Sequence, residues 1–164
     1  MRFAPAAAAL SLFLATTASV TIAQDRAPDA RAASLILQGE AALNAGETQA
    51  AIDAFEAALS VDPGYTPIFI KLAEAARQDG LQGKAIRFYR EALARDPENF
   101  AAIAGEGAAL VEKGALEKAK RNLARLQSKC GDTCPETVAL QSTISAGPPE
   151  RLAAETDTAA PTSN

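Results

Sequence analysis

Two cysteines are the most reactive side chains in this chain of 164 residues. Cys130 and Cys134 lie in the run Cys-Gly-Asp-Thr-Cys-Pro. In an exported protein, which meets an oxidising compartment, this pair favours a structural disulfide that closes a short turn. A redox-active pair stays open as the alternative, although the spacing is one residue longer than the Cys-x-x-Cys motif of thioredoxin-like proteins.

Other residues offer little chemistry. The chain has no histidine, so it lacks the commonest general base and a common metal ligand. We therefore predict no metal site, no cofactor and no enzymatic activity. Three glutamates, Glu40, Glu74 and Glu106, lie in the predicted helices. We expect them to face solvent or a groove.

The elements that position these residues repeat at an offset of 34 residues, which is typical of a helical repeat protein. In each copy, apolar residues at i, i+3, i+4 and i+7 predict two amphipathic helices joined by a glycine turn. A fainter third copy carries Gly114, Ala119 and Leu123. The matched positions of the first two copies are Gly46 and Gly80, Ala51 and Ala85, Ile52 and Ile86, Phe55 and Tyr89, Ala58 and Ala92, Leu59 and Leu93, Asp62 and Asp96, and Pro63 and Pro97.

This pattern resembles the tetratricopeptide repeat family from about Ala32 to Lys129. The resemblance implies an all-α solenoid of three helix-turn-helix repeats, over about 32–65, 66–99 and 100–131. Pro135 suits the first position of a further helix, and we predict a capping helix over 135–146 that covers the open end of the stack.

Small residues at matched places let the paired helices approach closely. Gly39, Ala73 and Gly107 occupy one such place in successive first helices. We expect large side chains of the second helices to fill the space beside them, namely Phe55, Tyr89 and Leu123.

The resemblance implies that the first helix of each repeat lines a concave groove that binds a peptide, a loop or a helix. A central patch of Lys71, Glu74 and Arg77 among aliphatic residues suits an amphipathic segment with both charges. Alternatively, the aliphatic residues belong partly to the core. The groove residues are Ile36, Glu40, Leu43 and Asn44, then Ile70, Lys71, Glu74, Arg77 and Gln78, then Ala104, Ala108, Val111 and Glu112.

Some family members grip a C-terminal carboxylate with a clamp of lysines and asparagines. This chain has Ile36 and Glu40 at the first clamp positions, and Ala101 and Gly105 at the cations of the third repeat. Only Lys71 keeps a comparable role. We therefore expect no recognition of that type.

The ends of the chain differ from its repeats in composition. Arg2, an apolar run and Thr21-Ile22-Ala23 predict a signal peptide over 1–23 that is cut after Ala23. If the segment is retained, the alternative is a membrane-tethered, self-assembling scaffold. We expect a linker over 24–31 and a disordered tail over 147–164.

With a formal net charge of −4 and a pI near 4.9, the chain is an unlikely general partner for nucleic acid. We expect a non-enzymatic periplasmic protein that binds another protein or a peptide segment, as a scaffold, adaptor or assembly factor. Self-association stays open, and no membrane insertion is expected after signal cleavage. We expect the basic helix over 116–129 to be a solvated outer face, and contact with an acidic partner or an anionic membrane surface is the alternative.

Overall fold

The computed structural model describes residues 26–149, so the predicted signal peptide and the tail beyond 149 lie outside the described residues. Within this part the fold is all helical, and the predicted solenoid of three helix pairs and a capping helix is confirmed. Each helix packs on the next along the chain, and α7 packs on both α5 and α6. The helices are α1 (Ala30–Asn44), α2 (Thr48–Val61), α3 (Pro67–Gln78), α4 (Gln82–Arg95), α5 (Phe100–Glu112), α6 (Leu116–Lys129) and α7 (Pro135–Ala146).

Between residues 26 and 149, no helix has both the length and the apolar character that a bilayer span needs.

The turn inside each repeat depends on a glycine in the left-handed region. Gly46, Gly80 and Gly114 have φ values of 79°, 75° and 78°, where a side chain would be strained. In the first turn, the Glu47 N–H donates to the Ala42 carbonyl at 2.9 Å, which is a bond of the Schellman motif. The repeated glycine therefore sets the reversal between the two helices of each pair.

Close approach of the helices depends on two of the glycines that the sequence singled out. A Cβ on Gly39 would lie 2.6 Å from Cδ1 of Phe55, so the Phe55 ring takes the place of a side chain there, as predicted. A Cβ on Gly107 would lie 2.6 Å from Cδ2 of Leu140 in α7. We expected Leu123 beside Gly107, but the capping helix supplies the nearest side chain, because α7 packs directly on α5.

A third close approach was not predicted. The ring of Tyr89 in α4 lies against Gly105 of the next repeat, and a Cβ on Gly105 would lie 2.6 Å from the phenol oxygen. Tyr89 is only 2% exposed. It therefore joins the second repeat to the third as well as filling its own repeat.

In the predicted linker over 24–31, residues 26–29 are non-helical and the last two residues belong to α1. Helix α1 begins at Ala30, and the Asp29 carboxylate caps it by accepting from the Arg31 N–H at 2.8 Å. Upstream, Arg26 pairs with the buried carboxylate of Asp62, which also accepts from the Asp29 N–H at 3.0 Å. The Arg26 guanidinium holds the pKa of Asp62 below its ordinary value of 3.8. The residues before α1, here called the lead-in (26–29), thus pack on the turn after α2.

Glu106 does not face solvent or the groove, contrary to expectation. It is 7% exposed, between α4 and α6. Arg90 Nε donates to one carboxylate oxygen at 2.7 Å and Asn122 Nδ2 donates to the other at 3.0 Å. A buried charge needs such partners, and here they join α4, α5 and α6.

The packing at Gly39 predicts opposite outcomes for two glycine substitutions. Gly39→Ala should lower the free energy of unfolding by about 1–3 kcal/mol, because the new methyl group overlaps the buried Phe55 ring. Gly83→Ala is the matched control: in α4 its Cβ would meet only Lys113 Nζ, at 3.9 Å, and we expect no loss of stability. Urea unfolding midpoints measure both, and equal midpoints would contradict this packing.

Candidate binding groove

An ion-pair network joins the first helices of the three repeats. Lys71 Nζ of α3 lies 3.2 Å from Glu40 Oε1 of α1 and 3.8 Å from Glu74 Oε2. Further along α3, Arg77 Nε lies 3.1 Å from Glu112 Oε1 of α5. These five predicted groove residues therefore share one surface, formed by α1, α3 and α5.

The aliphatic groove residues are shared between this surface and the core. Ile36, Leu43 and Ile70 are half-buried and pack against the main core. The interpretation that they belong partly to the core is therefore confirmed. Asn44 and Gln78, at the ends of α1 and α3, are exposed.

Val111 is not a groove residue, contrary to the prediction. It is fully buried in the main core. The equivalent residue in the second repeat is Arg77, whose long side chain extends from a similar backbone position to the surface. A valine at that position is too short to reach the surface.

A cavity of about 410 Å³ lies between α3, α5 and α7. Its α5 wall consists of small residues, which leave the space open: Ala101, Ala104, Gly105 and Ala108. The α7 wall consists of Ala139, Leu140 and Thr143. Two of the groove residues predicted in the third repeat, Ala104 and Ala108, therefore line this cavity.

Polar groups line the cavity on the side of α3 and α4. Glu74, Arg77 and Gln78 contribute from α3, and Tyr89 contributes from α4. Burial raises the pKa of Tyr89 to about 12. The hydroxyl is protonated near neutral pH and can donate a hydrogen bond. The cavity thus combines small apolar walls with hydrogen-bonding groups, a mixture common in ligand sites.

Sequence reasoning found only part of this cavity. The sequence does contain one signal, since Ala101, Ala104, Gly105 and Ala108 form a small-residue stripe at i, i+3, i+4 and i+7. The resemblance marks Ala101 and Gly105 only as positions where clamp residues are missing. The α7 wall could not be predicted, because it depends on how the capping helix docks.

The cysteine pair lies at the junction of α6 and α7. Cys130 follows the last residue of α6, and Cys134 precedes the first residue of α7. Their Cα atoms are 5.7 Å apart, which lies in the range that a disulfide spans, and the disulfide across the turn stays a prediction. Glu136 Oε2 lies 2.9 Å from Cys134 Sγ and completes a group of three possible metal ligands. Structural zinc sites use four protein ligands, and the absence of a metal site stays a prediction.

Comparison with solved structures gives the same architecture. The TPR domain of Sgt2 from Aspergillus fumigatus is 24% identical with a TM-score of 0.63, over 84% of this chain and 89% of that chain. The first TPR of Spaghetti (RPAP3), bound to the HSP90 peptide SRMEEVD, is 22% identical with a TM-score of 0.64, over 73% and 95%.

A bacterial structure is similar to the same degree. The type III secretion chaperone SycD of Yersinia enterocolitica, in complex with a peptide of the translocator YopD, is 21% identical with a TM-score of 0.60. That match covers 70% of this chain and 86% of SycD. At these identities the likeness shows the fold alone.

The sequence itself gives a direct match. No curated protein matches the chain, but the family model of the tetratricopeptide repeat matches residues 32–65 and 66–99. These ranges equal the first two predicted repeats, and the pair α5 and α6 continues the stack behind them. The match to the tetratricopeptide repeat therefore covers residues 32–99, and beyond them the likeness is one of fold.

Proposed function

We propose that this chain is a non-enzymatic periplasmic scaffold, adaptor or assembly factor that holds a segment of another protein against α1, α3 and α5. The observation that carries the proposal is the ion-pair network that joins these three helices beside a cavity of about 410 Å³. The similar structures of Spaghetti and SycD each hold a peptide, which supports the same role here.

The exposure of the network supports binding rather than stability. The side chains of Lys71, Glu40 and Glu74 are 36%, 38% and 42% exposed. Ion pairs at such positions add about 0–1 kcal/mol to folding. They do hold long side chains in fixed places, so less conformational freedom is lost when a partner binds.

The partner differs from a chaperone tail gripped by its carboxylate. Ala101 and Gly105 carry no donor at the third-repeat clamp positions, and Glu40 presents an acceptor instead. The groove is suited to an internal segment that contributes side chains, rather than to a chain terminus.

Two features support the periplasmic location, the predicted signal peptide and the cysteine pair. The predicted cut after Ala23 leaves Arg26, and with it the ion pair to the buried Asp62, in the mature protein. Cys130 and Cys134 have the separation that a disulfide needs, and a disulfide persists in an oxidising compartment. There it ties α7 to the end of α6 and so supports the α7 wall of the cavity.

Intact-mass measurement tests the location and the role of the cysteines together. Protein isolated from whole cells of a Gram-negative host should begin at Gln24, and its cysteines should resist alkylation until they are reduced. The reduction potential should lie below roughly −300 mV, as for structural disulfides. A chain that begins at Met1 would support the tethered scaffold, and a much higher potential would support the redox-active alternative.

Charge reversal in the groove tests the binding function. In-cell cross-linking followed by a pull-down should recover a partner with the unaltered protein. Lys71→Glu with Arg77→Glu should change that recovery at least about tenfold, because it breaks both ion pairs and makes the groove strongly acidic.

The matched control makes the same change of charge on another face. Lys118→Glu with Arg121→Glu alters two exposed residues of α6, and recovery of the partner should be unchanged. Equal recovery with all three proteins would show that the groove is not the binding surface. Loss with the control pair alone would assign binding to α6.

A further inference from the structure

The cavity between α3, α5 and α7 has the dimensions of a binding site. Its volume of about 410 Å³ falls within the range of about 300–1,000 Å³ that ligand pockets occupy. This volume is much larger than that of one water molecule, and it accommodates a large side chain together with adjoining main chain. The space exists because the residues of α5 that line it are small and because α7 stands opposite.

The surroundings of this space favour an apolar side chain within a peptide. Alanine methyl groups and Leu140 supply the walls, while the Tyr89 hydroxyl and the Gln78 amide supply groups that can hydrogen-bond a main chain. A bulky aliphatic or aromatic side chain gains most from such walls, since its burial removes apolar surface from water.

The charges beside the cavity predict the charge of the partner residues next to that apolar side chain. The network has three carboxylates, Glu40, Glu74 and Glu112, and two cations, Lys71 and Arg77. Its formal charge is therefore −1. The two cations already have close partners, so an acidic segment would meet an excess of carboxylate rather than a free cation.

Glu74 is the carboxylate with the weakest compensation. Lys71 Nζ lies 3.2 Å from Glu40 but 3.8 Å from Glu74. Arg77 is engaged elsewhere, between Glu112 at 3.1 Å and the phenol of Tyr89. Among residues 26–149, Glu74 is also the one carboxylate that lines the cavity, and its side chain is 42% exposed.

We infer that the groove selects a segment in which a bulky apolar side chain stands next to a lysine or arginine. The apolar side chain enters the cavity, and the cation pairs with Glu74. This inference rests on the proposed function of the groove.

Peptide selection tests this specificity without a known partner. Random twelve-residue peptides displayed on phage are selected against the protein that begins at Gln24, which retains every described residue. Selected peptides should share a Leu, Met, Phe or Trp within two positions of a Lys or Arg. The dominant peptide is then synthesised, and its affinity is measured by calorimetry.

Two variants assign the binding of that peptide to the cavity. Ala101→Trp fills the cavity from α5 and should weaken binding at least about tenfold, with Ala139→Trp from α7 as a second filling variant. Ala124→Trp, at an exposed position of α6, is the matched control and should bind as the unaltered protein does. Thermal melting confirms that each variant is folded.

A charge swap assigns the cation to Glu74. Glu74→Lys should prefer a version of the peptide in which glutamate replaces the basic residue. Enrichment of acidic peptides, no enrichment, or unchanged affinity in both filling variants would each overturn the inference. If Lys71→Glu with Arg77→Glu changes the affinity for the peptide while both filling variants bind normally, the groove function stands and the cavity assignment fails.

Discussion

The close approach of helices at glycines is the constraint on which this structure depends. The Phe55 ring occupies the place of a side chain at Gly39, and Leu140 does so at Gly107. Between them, Tyr89 lies over Gly105 and joins two repeats. A dense interior leaves no room for an added methyl group at such points. The same contacts bring α7 onto α5, and so they create the cavity beside the groove.

Charged groups have two distinct roles in this fold, which their burial separates. Asp62 and Glu106 are buried, and their partners come from other elements of the chain, so they hold the lead-in and the third repeat in place. The pairs that involve Lys71 and Arg77 are partly exposed and join only the first helices. Burial thus assigns the first group to the fold and leaves the second group available to a partner.

The sequence predicted the architecture because a period depends on local rules. Glycine turns, apolar spacing and Pro135 were enough to predict three helix pairs and a seventh helix, and Phe55 was correctly placed beside Gly39. The repeat period predicts where the backbone of each residue lies. It does not predict how far the side chain at that position extends. Val111 and Arg77 share one repeat position, yet the valine is buried and the arginine reaches the surface.

Contacts between distant segments were the part that sequence reasoning missed. Arg26 lies far from Asp62 along the chain, and Glu106 meets Arg90 and Asn122 from two other helices. Each of these ion pairs forms only where separate elements pack together, so no local sequence pattern predicts it. The cavity is of the same kind, since Gly105 and Thr143 become neighbours only after α7 has packed.

The central claim is that a partner lies against α1, α3 and α5, and site-specific photo-cross-linking in living cells tests it most directly. A photoreactive phenylalanine analogue at Asn44 or Gln78, both exposed on the first helices, should give one discrete cross-linked species. The same analogue at Arg87 or Lys118, exposed on the second helices, should give none. Cross-links from Arg87 and Lys118 without any from Asn44 and Gln78 would contradict the account.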